Sequence, residues 1–250
     1  MMTAAELMGH YKEVREEEGI NGGLGLITNP QVQDGGILLV GLNPSGEGDE
    51  IHNYICCKND FWDPKHKMMG IYDKKCGYID LLPVRNGRQV QVHIDNDLKN
   101  RYHGRLLAHT RDYIEELKPR LIIFANSANY YWGFRKEWMG YTFKKVKTPL
   151  DGERKRWKLF QITGIEPTGV NRFVHNTNIV GTFFLQYRQH KDMFGIPVPK
   201  ERELRFMDIQ TIAKFIDDGW EKHYINMQGT IKERFGITNY GAFIVMNYII

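Results

Sequence analysis

Three short polar clusters each follow or close an apolar run in this chain: Asn43-Pro44-Ser45 after "ILLVGL", Asp80 within "GYIDLLPV", and Asn126-Ser127 at the end of "RLIIFANS". An Asn amide donates and accepts hydrogen bonds at once, whereas an ionised carboxylate only accepts. Glu47, Asp49 and Glu50 stand just behind the first cluster, close enough in sequence to supply a general base or simply to solvate a loop. Pro44 fixes the backbone there, and Gly41 and Gly46 let the chain approach a ligand with no side chain in the way. A plain Asn-Pro-Ser-Gly turn has the same composition.

A second chemical signature lies in residues 134–158, "FRKEWMGYTFKKVKTPLDGERKRWK", where nine Lys/Arg face three acids and Phe134, Trp138, Tyr141, Phe143 and Trp157 are interleaved. Basic groups for phosphates beside flat rings for bases suit a nucleic-acid surface, with Lys144, Lys145 and Lys147 as the central cations. A solvated hairpin with inward-packed rings gives the same pattern.

The elements that must position these groups can be read from periodicity. Residues 3–18 have Ala4, Leu7, Met8, Tyr11 and Val14 near helical spacing, and residues 97–118 place Leu106, Leu107, Thr110, Ile114 and Leu117 on one face before Pro119 stops the helix. Buried strands are expected at 35–42, 77–84 and 120–127, further strands at 158–165 and 178–187, and a helix near 207–219. The last apolar segment, 242–250, fits either a strand or a buried helix. Apolar strands separated by a crossover helix imply a three-layer α/β/α domain with a mostly parallel central sheet. In such a sheet the ligand crevice lies outside the carboxyl ends of the strands, where all three polar clusters fall.

The 250 residues suffice for one domain, taken as residues 1–250, and 42% hydrophobic with 26% charged residues excludes a mostly disordered chain. No apolar stretch reaches the length of a membrane span and the N-terminus lacks the apolar core of a signal peptide, so a cytoplasmic protein without membrane attachment is expected. Cys56, Cys57 and Cys76 have neither zinc spacing nor a disulfide framework, and reduced thiols are expected. No Walker loop, nucleophile elbow or His/Cys metal cluster is visible.

The order of these segments resembles the uracil-DNA glycosylase superfamily, nearest its mismatch-specific thymine/uracil branch. "GLNPSG" is similar to that branch's G-I-N-P-G motif after a buried strand, and "NDFW" to the N-x-F-W that follows. "GYIDLLPVR" resembles the second-strand segment, with Ile79-Asp80 where T-N is usual. "YIEELKPRLIIFANSANYYWG" resembles the family's helix, K-P strand and small-residue turn, with Asn126 in place of the usual Gly. The likeness covers residues 36–134.

The resemblance implies a uracil-DNA glycosylase-like fold and a DNA glycosylase that hydrolyses the N-glycosidic bond of a modified or mispaired base in base excision repair. It implies DNA or another nucleobase-containing partner, a monomer, and no cofactor or metal. Asn43 becomes the water-positioning residue; Gly41, Leu42, Phe61, Asp80 and Asn126 the base-binding set, with Phe61 stacking on an extruded base; and Ser45 a DNA contact beside the three lysines. The family's closing His-Pro-Ser or Asn-Pro-Ser loop has no counterpart near "NIVGTFFLQYRQH"; His175 and His190 flank that strand, and His175 is taken as the catalytic substitute. Asp80, standing where a base-reading Asn is expected, favours an exocyclic amine when ionised and loses that rule when protonated. Its departures also admit a catalytically silent nucleobase- or nucleic-acid-binding protein, or a small nucleoside hydrolase.

Overall fold

The computed structural model describes residues 1–28, 35–57, 62, 65–66, 76–85, 96–124, 129–133, 138–146, 157–168, 173–187 and 206–217. Its elements in chain order are α1 (Ala4–Glu17), β1 (Gly25–Thr28), β2 (Ile37–Gly41), β3 (Glu50–Asn53), β4 (Cys76–Asp80), α2 (Asn96–Leu117), β5 (Leu121–Phe124), β6 (Tyr141–Lys145), β7 (Trp157–Ile165), β8 (Phe183–Tyr187) and α3 (Phe206–Asp217).

Six strands form a mixed sheet in the order β4-β2-β5-β8-β7-β6, while β1 and β3 pair in a small parallel sheet of their own. The first four strands of that order are parallel; β7 runs antiparallel to β8, and β6 antiparallel to β7. The uniformly apolar runs occupy the interior: β4 and β5 are buried at every position and β2 at all but Gly41. Such runs are what strands covered on both faces require.

Alternation along each strand divides the core into two layers. Leu38, Val40, Ile79, Ile122 and Phe124 pack with Leu7, Tyr11 and Val14 of α1 and with Leu106, Ile114 and Leu117 of α2. Ile37, Leu39, Cys76, Tyr78, Ile123 and Leu185 face the other way, against Tyr54, Trp62 and the Ile209, Ile212 and Ala213 face of α3. Helices therefore cover both faces of the sheet, as the α/β reading expects.

The helix nearest the crevice end of β4 is tied down by a buried polar relay. Thr110 of α2 donates to the Leu81 carbonyl (3.0 Å) and accepts from the Tyr11 hydroxyl (2.7 Å), so α1, α2 and the end of β4 share one hydrogen-bonded node. α1 starts at a capping box between Thr3 and Glu6, which satisfies donors that a helix N-terminus leaves open.

The expected strand at 178–187 is shorter, because residues 178–181 form a turn whose Gly181 adopts φ +92° and β8 begins only at Phe183. β1, β3 and β6 lack a strong sequence signal; β3 is exposed throughout and β6 mixes one buried position with two lysines. The segment 242–250 lies outside the described residues.

Topology fixes where a ligand can sit. Within the six-stranded sheet, the strand that follows β2 in the chain is β4 on one side, and the strand that follows β5 is β6 at the far edge on the other side, so the order reverses between the adjacent parallel strands β2 and β5. That reversal is the switch point at which open α/β sheets form a crevice.

Candidate functional site at the carboxyl ends of β2 and β4

Asn43 lies two residues beyond β2. Its Nδ2 donates to the carbonyls of Val84 (3.2 Å) and Pro44 (3.3 Å), so both amide hydrogens are committed to backbone oxygens. That assignment leaves Oδ1 as the available atom, and Oδ1 is buried with no hydrogen-bond partner among the described residues. A buried carbonyl oxygen without a donor costs free energy of about 1–3 kcal/mol, which a water or ligand N–H would relieve.

The loop behind Asn43 is held by arginines distant in sequence. Arg85, with only 5% of its side chain exposed, donates to the Glu47 carbonyl (2.6 Å) and pairs with Glu50 (2.8 Å). Gly25 is needed beneath it, because a Cβ there would lie 2.6 Å from Arg85 Nε and 2.7 Å from Pro44 Cγ. Asp49 accepts from Arg15 (2.7 Å) and from the Leu24 N–H (2.9 Å), with Lys12 at 3.5 Å. Burial alone would raise the Asp49 carboxyl, but these hydrogen bonds and charges outweigh it and hold it below the usual range. Asp49 and Glu50 thus brace the loop, and neither is a carboxylate waiting for a proton.

Asp80 is built in the opposite way. It is the last residue of β4, pairs in register with Gly41 of β2, and is 3% exposed. Tyr78, two residues earlier on the same strand face, donates its hydroxyl to Asp80 Oδ1 (2.8 Å), while Oδ2 is buried with no hydrogen-bond partner among the described residues. Gly41 makes this arrangement possible: a Cβ there would fall 2.1 Å from Tyr78 Oη and 2.3 Å from Asp80 Oδ1. Burial lifts the Asp80 carboxyl to about 7, against the smaller opposing effects of the Tyr78 hydrogen bond and the Lys65 charge. Tyr78 in turn keeps its proton, because burial, the Asp80 charge and the hydrogen bond all push it upward.

Aromatic rings close over this pair. Tyr54 stacks on Tyr78 with centroids 5.2 Å apart, and Trp62 meets Tyr78 edge-on at 4.7 Å and Tyr54 edge-on at 5.6 Å. His66 packs edge-on against Tyr54 and bonds its carbonyl at 3.1 Å. Lys65 lies 5.7 Å from the centre of the Trp62 ring, and burial lowers its ammonium to about 8 although the Asp80 charge acts the other way.

Gly41, Asn43 and Asp80 are therefore gathered at the carboxyl ends of two paired strands. Leu42 joins them only through its backbone, its carbonyl accepting from the Leu82 N–H (2.9 Å) while its side chain packs with the α1/α2 layer. Ser45 is exposed on the loop after buried Pro44. Phe61, Asn126, Lys147 and His190 lie outside the described residues.

His175 is not brought to this edge. It is exposed on the segment leading into β8, and the neighbouring Thr177 hydroxyl and Asn178 N–H both bond Glu115, near the end of α2 that leads into β5. A residue that precedes a parallel strand lies at its amino end, so His175 stands across the sheet from Asn43 and Asp80. Lys144 and Lys145 are exposed on β6, the sheet edge opposite β4. Five strand spacings of about 4.8 Å put them roughly 24 Å from the β4 edge.

The residues that sequence reasoning passed over are Tyr54, Tyr78 and Lys65. Tyr78 carried a usable signal, since Tyr-x-Asp on a strand projects both side chains to one face. Among the described residues no group of three or more His, Cys, Asp or Glu side chains is arranged to hold a metal ion, and no helix is long and apolar enough to cross a membrane. No protein-family model matches the chain, and no curated protein sequence does either.

Proposed function

We propose that this chain is a DNA glycosylase-like hydrolase that cleaves the N-glycosidic bond of a modified or mispaired base. The observation that carries the reading is the Asn43 side chain, whose donors are spent on Val84 and Pro44 and whose buried oxygen is left to accept. A water donating one hydrogen to Asn43 Oδ1 would be oriented with a lone pair directed away from the amide. Its oxygen would bond to the sugar C1′ as the C1′–N bond breaks, the bonding pair leaving with the base; the added water then gives up a proton to solvent and the base takes one up. An amide is a poor base, so orientation of the water and stabilisation of the departing base supply the catalysis. Asp80 in its neutral form would offer Oδ2–H to the charge that develops on that base.

Incubation with duplexes carrying uracil, thymine mismatches, hypoxanthine or alkylated bases, followed by alkaline cleavage at abasic sites, tests this directly. Release from at least one duplex is expected, reduced about 100-fold in Asn43→Ala by loss of water placement. No release from any of them, at any pH between 5.5 and 8.5, removes the hydrolase reading.

The distance of His175 from the β2 and β4 ends favours a second reading, a nucleobase-binding protein that does not cleave. Its signature is salt-sensitive DNA binding without base release. Replacing Lys144 and Lys145 by Ala should then shallow the log–log salt dependence of binding by about 1.8 if both touch phosphates, and leave it unchanged if neither does.

A further inference from the structure

We infer that Asp80 is a protonation-gated reader of the base edge: as the neutral acid it pairs with a lactam edge, an N–H beside a C=O, and as the carboxylate it releases that edge. The inference rests on the reading of this crevice as a nucleobase site, and adds to it which atoms read the base and what switches them.

The hydrogen-bond geometry assigns each oxygen a role. Tyr78 donates to Oδ1 at 2.8 Å, so a proton on the carboxyl resides on Oδ2, the oxygen with no hydrogen-bond partner among the described residues. Oδ1 keeps a second lone pair for an incoming N–H, while Oδ2–H donates to a carbonyl. A neutral Asp80 therefore presents the same donor and acceptor pair as an Asn amide, which is what a lactam edge matches. Once ionised, both oxygens only accept, and a base carbonyl facing them is repelled.

The surroundings make the change of state accessible near neutrality. Asp80 is 97% buried, and burial carries its carboxyl to about 7. Among the described residues, the groups that exchange electrostatic influence with it come from four segments: Tyr78 on β4, Tyr11 on α1, Cys57 after the Tyr54 turn, and Lys65 beside Trp62. Lys65 supplies the cationic influence in that group, and it opposes the lift without cancelling it. Gly41 holds the space for the Tyr78–Asp80 bond, since a Cβ would overlap both atoms.

The test compares full-length wild type with Asp80→Asn and Tyr78→Phe. Binding is read by fluorescence anisotropy as the affinity ratio between an oligonucleotide with one uracil and the same oligonucleotide with an abasic analogue, from pH 5.5 to 8.5. Wild type is expected to prefer uracil about tenfold at pH 6 and to lose the preference through pH 7, whereas Asp80→Asn retains it at pH 8.5. Tyr78→Phe removes a bond that favours the ion, so its midpoint should move upward. If wild type and Asp80→Asn show the same preference with the same pH profile, the gate is refuted while the nucleobase site stands. If neither protein prefers uracil at any pH, with their far-UV spectra unchanged, both the site reading and the gate fall.

Discussion

Asp49 and Glu50, which follow β2 in the chain, and Asp80, which ends the paired strand β4, do opposite things. Asp49, in the loop after β2, and Glu50, the first residue of β3, are paired with Arg15, Lys12, Arg85 and His52, and both are held below the usual carboxylate range. Asp80, at the end of β4, has a tyrosine hydroxyl in place of a paired cation, and burial pushes it up to about 7. The same functional group is a brace where cations bond it directly and a proton-carrying group where burial outweighs the charge that acts on it. A carboxylate's sequence position is thus a weak guide to its chemistry, and its partners decide.

The comparison is broken most strongly by changing Asp80 itself. Its folded-state value lies above the 3.8 of the unfolded chain, so its contribution to stability is greatest below pH 3.8, falls as pH rises, and is gone above about 7. That interval corresponds to about 4 kcal/mol. Asp80→Asn, which needs no ionisation, should gain up to that amount over wild type in urea unfolding at pH 8, with the gain shrinking toward zero at pH 4. Equal gains at both values of pH would place the effect outside ionisation.

Gly41→Ala should cost about 3 kcal/mol by forcing a methyl into the space of Tyr78 Oη and Asp80 Oδ1, and should abolish any base preference. Wild-type stability and preference in this variant would mean that the Tyr78–Asp80 contact is loose. On the brace side, Asp49→Ala should cost about 2 kcal/mol at pH 7 by removing bonds to Arg15 and Leu24. Its sign is reversed from Asp80: the Asp49 contribution is present above 3.8 and lost as pH falls through the lowered folded value. Glu50→Gln is the smallest change, since Glu50 is half-exposed and a Gln oxygen can still accept from Arg85, and a cost below about 1 kcal/mol in urea unfolding at pH 7 is expected.

Much of the fold was legible because its signals are local. Continuous apolar runs marked β2, β4 and β5, and helical spacing marked α1 and α2 to within a residue or two at each end. β1 and β3 were not legible: four residues each, one fully buried and one fully exposed, they have no periodicity and exist because they pair with each other. The site divides in the same way. Asn43 and Asp80 stood out as polar residues ending apolar strands, but the protonation of Asp80 depends on Tyr78, Gly41 and burial by segments far along the chain. The bracing of Asp49 depends on Arg15, thirty-four residues away. His175 carried no positional signal of its own: its place follows from the bonds of Thr177 and Asn178 to Glu115, some sixty residues away in the chain.

The most direct measurement is a carbon-13 NMR titration of the Asp80 side-chain carboxyl, with Asp80→Asn used to assign the resonance, in free protein and with free uracil added. A midpoint near pH 7 that moves upward with uracil is the expected result, because a ligand that binds the neutral acid must raise its apparent pKa. A midpoint near 4 that uracil leaves unmoved would contradict both the protonation of Asp80 and its place in a base-binding site.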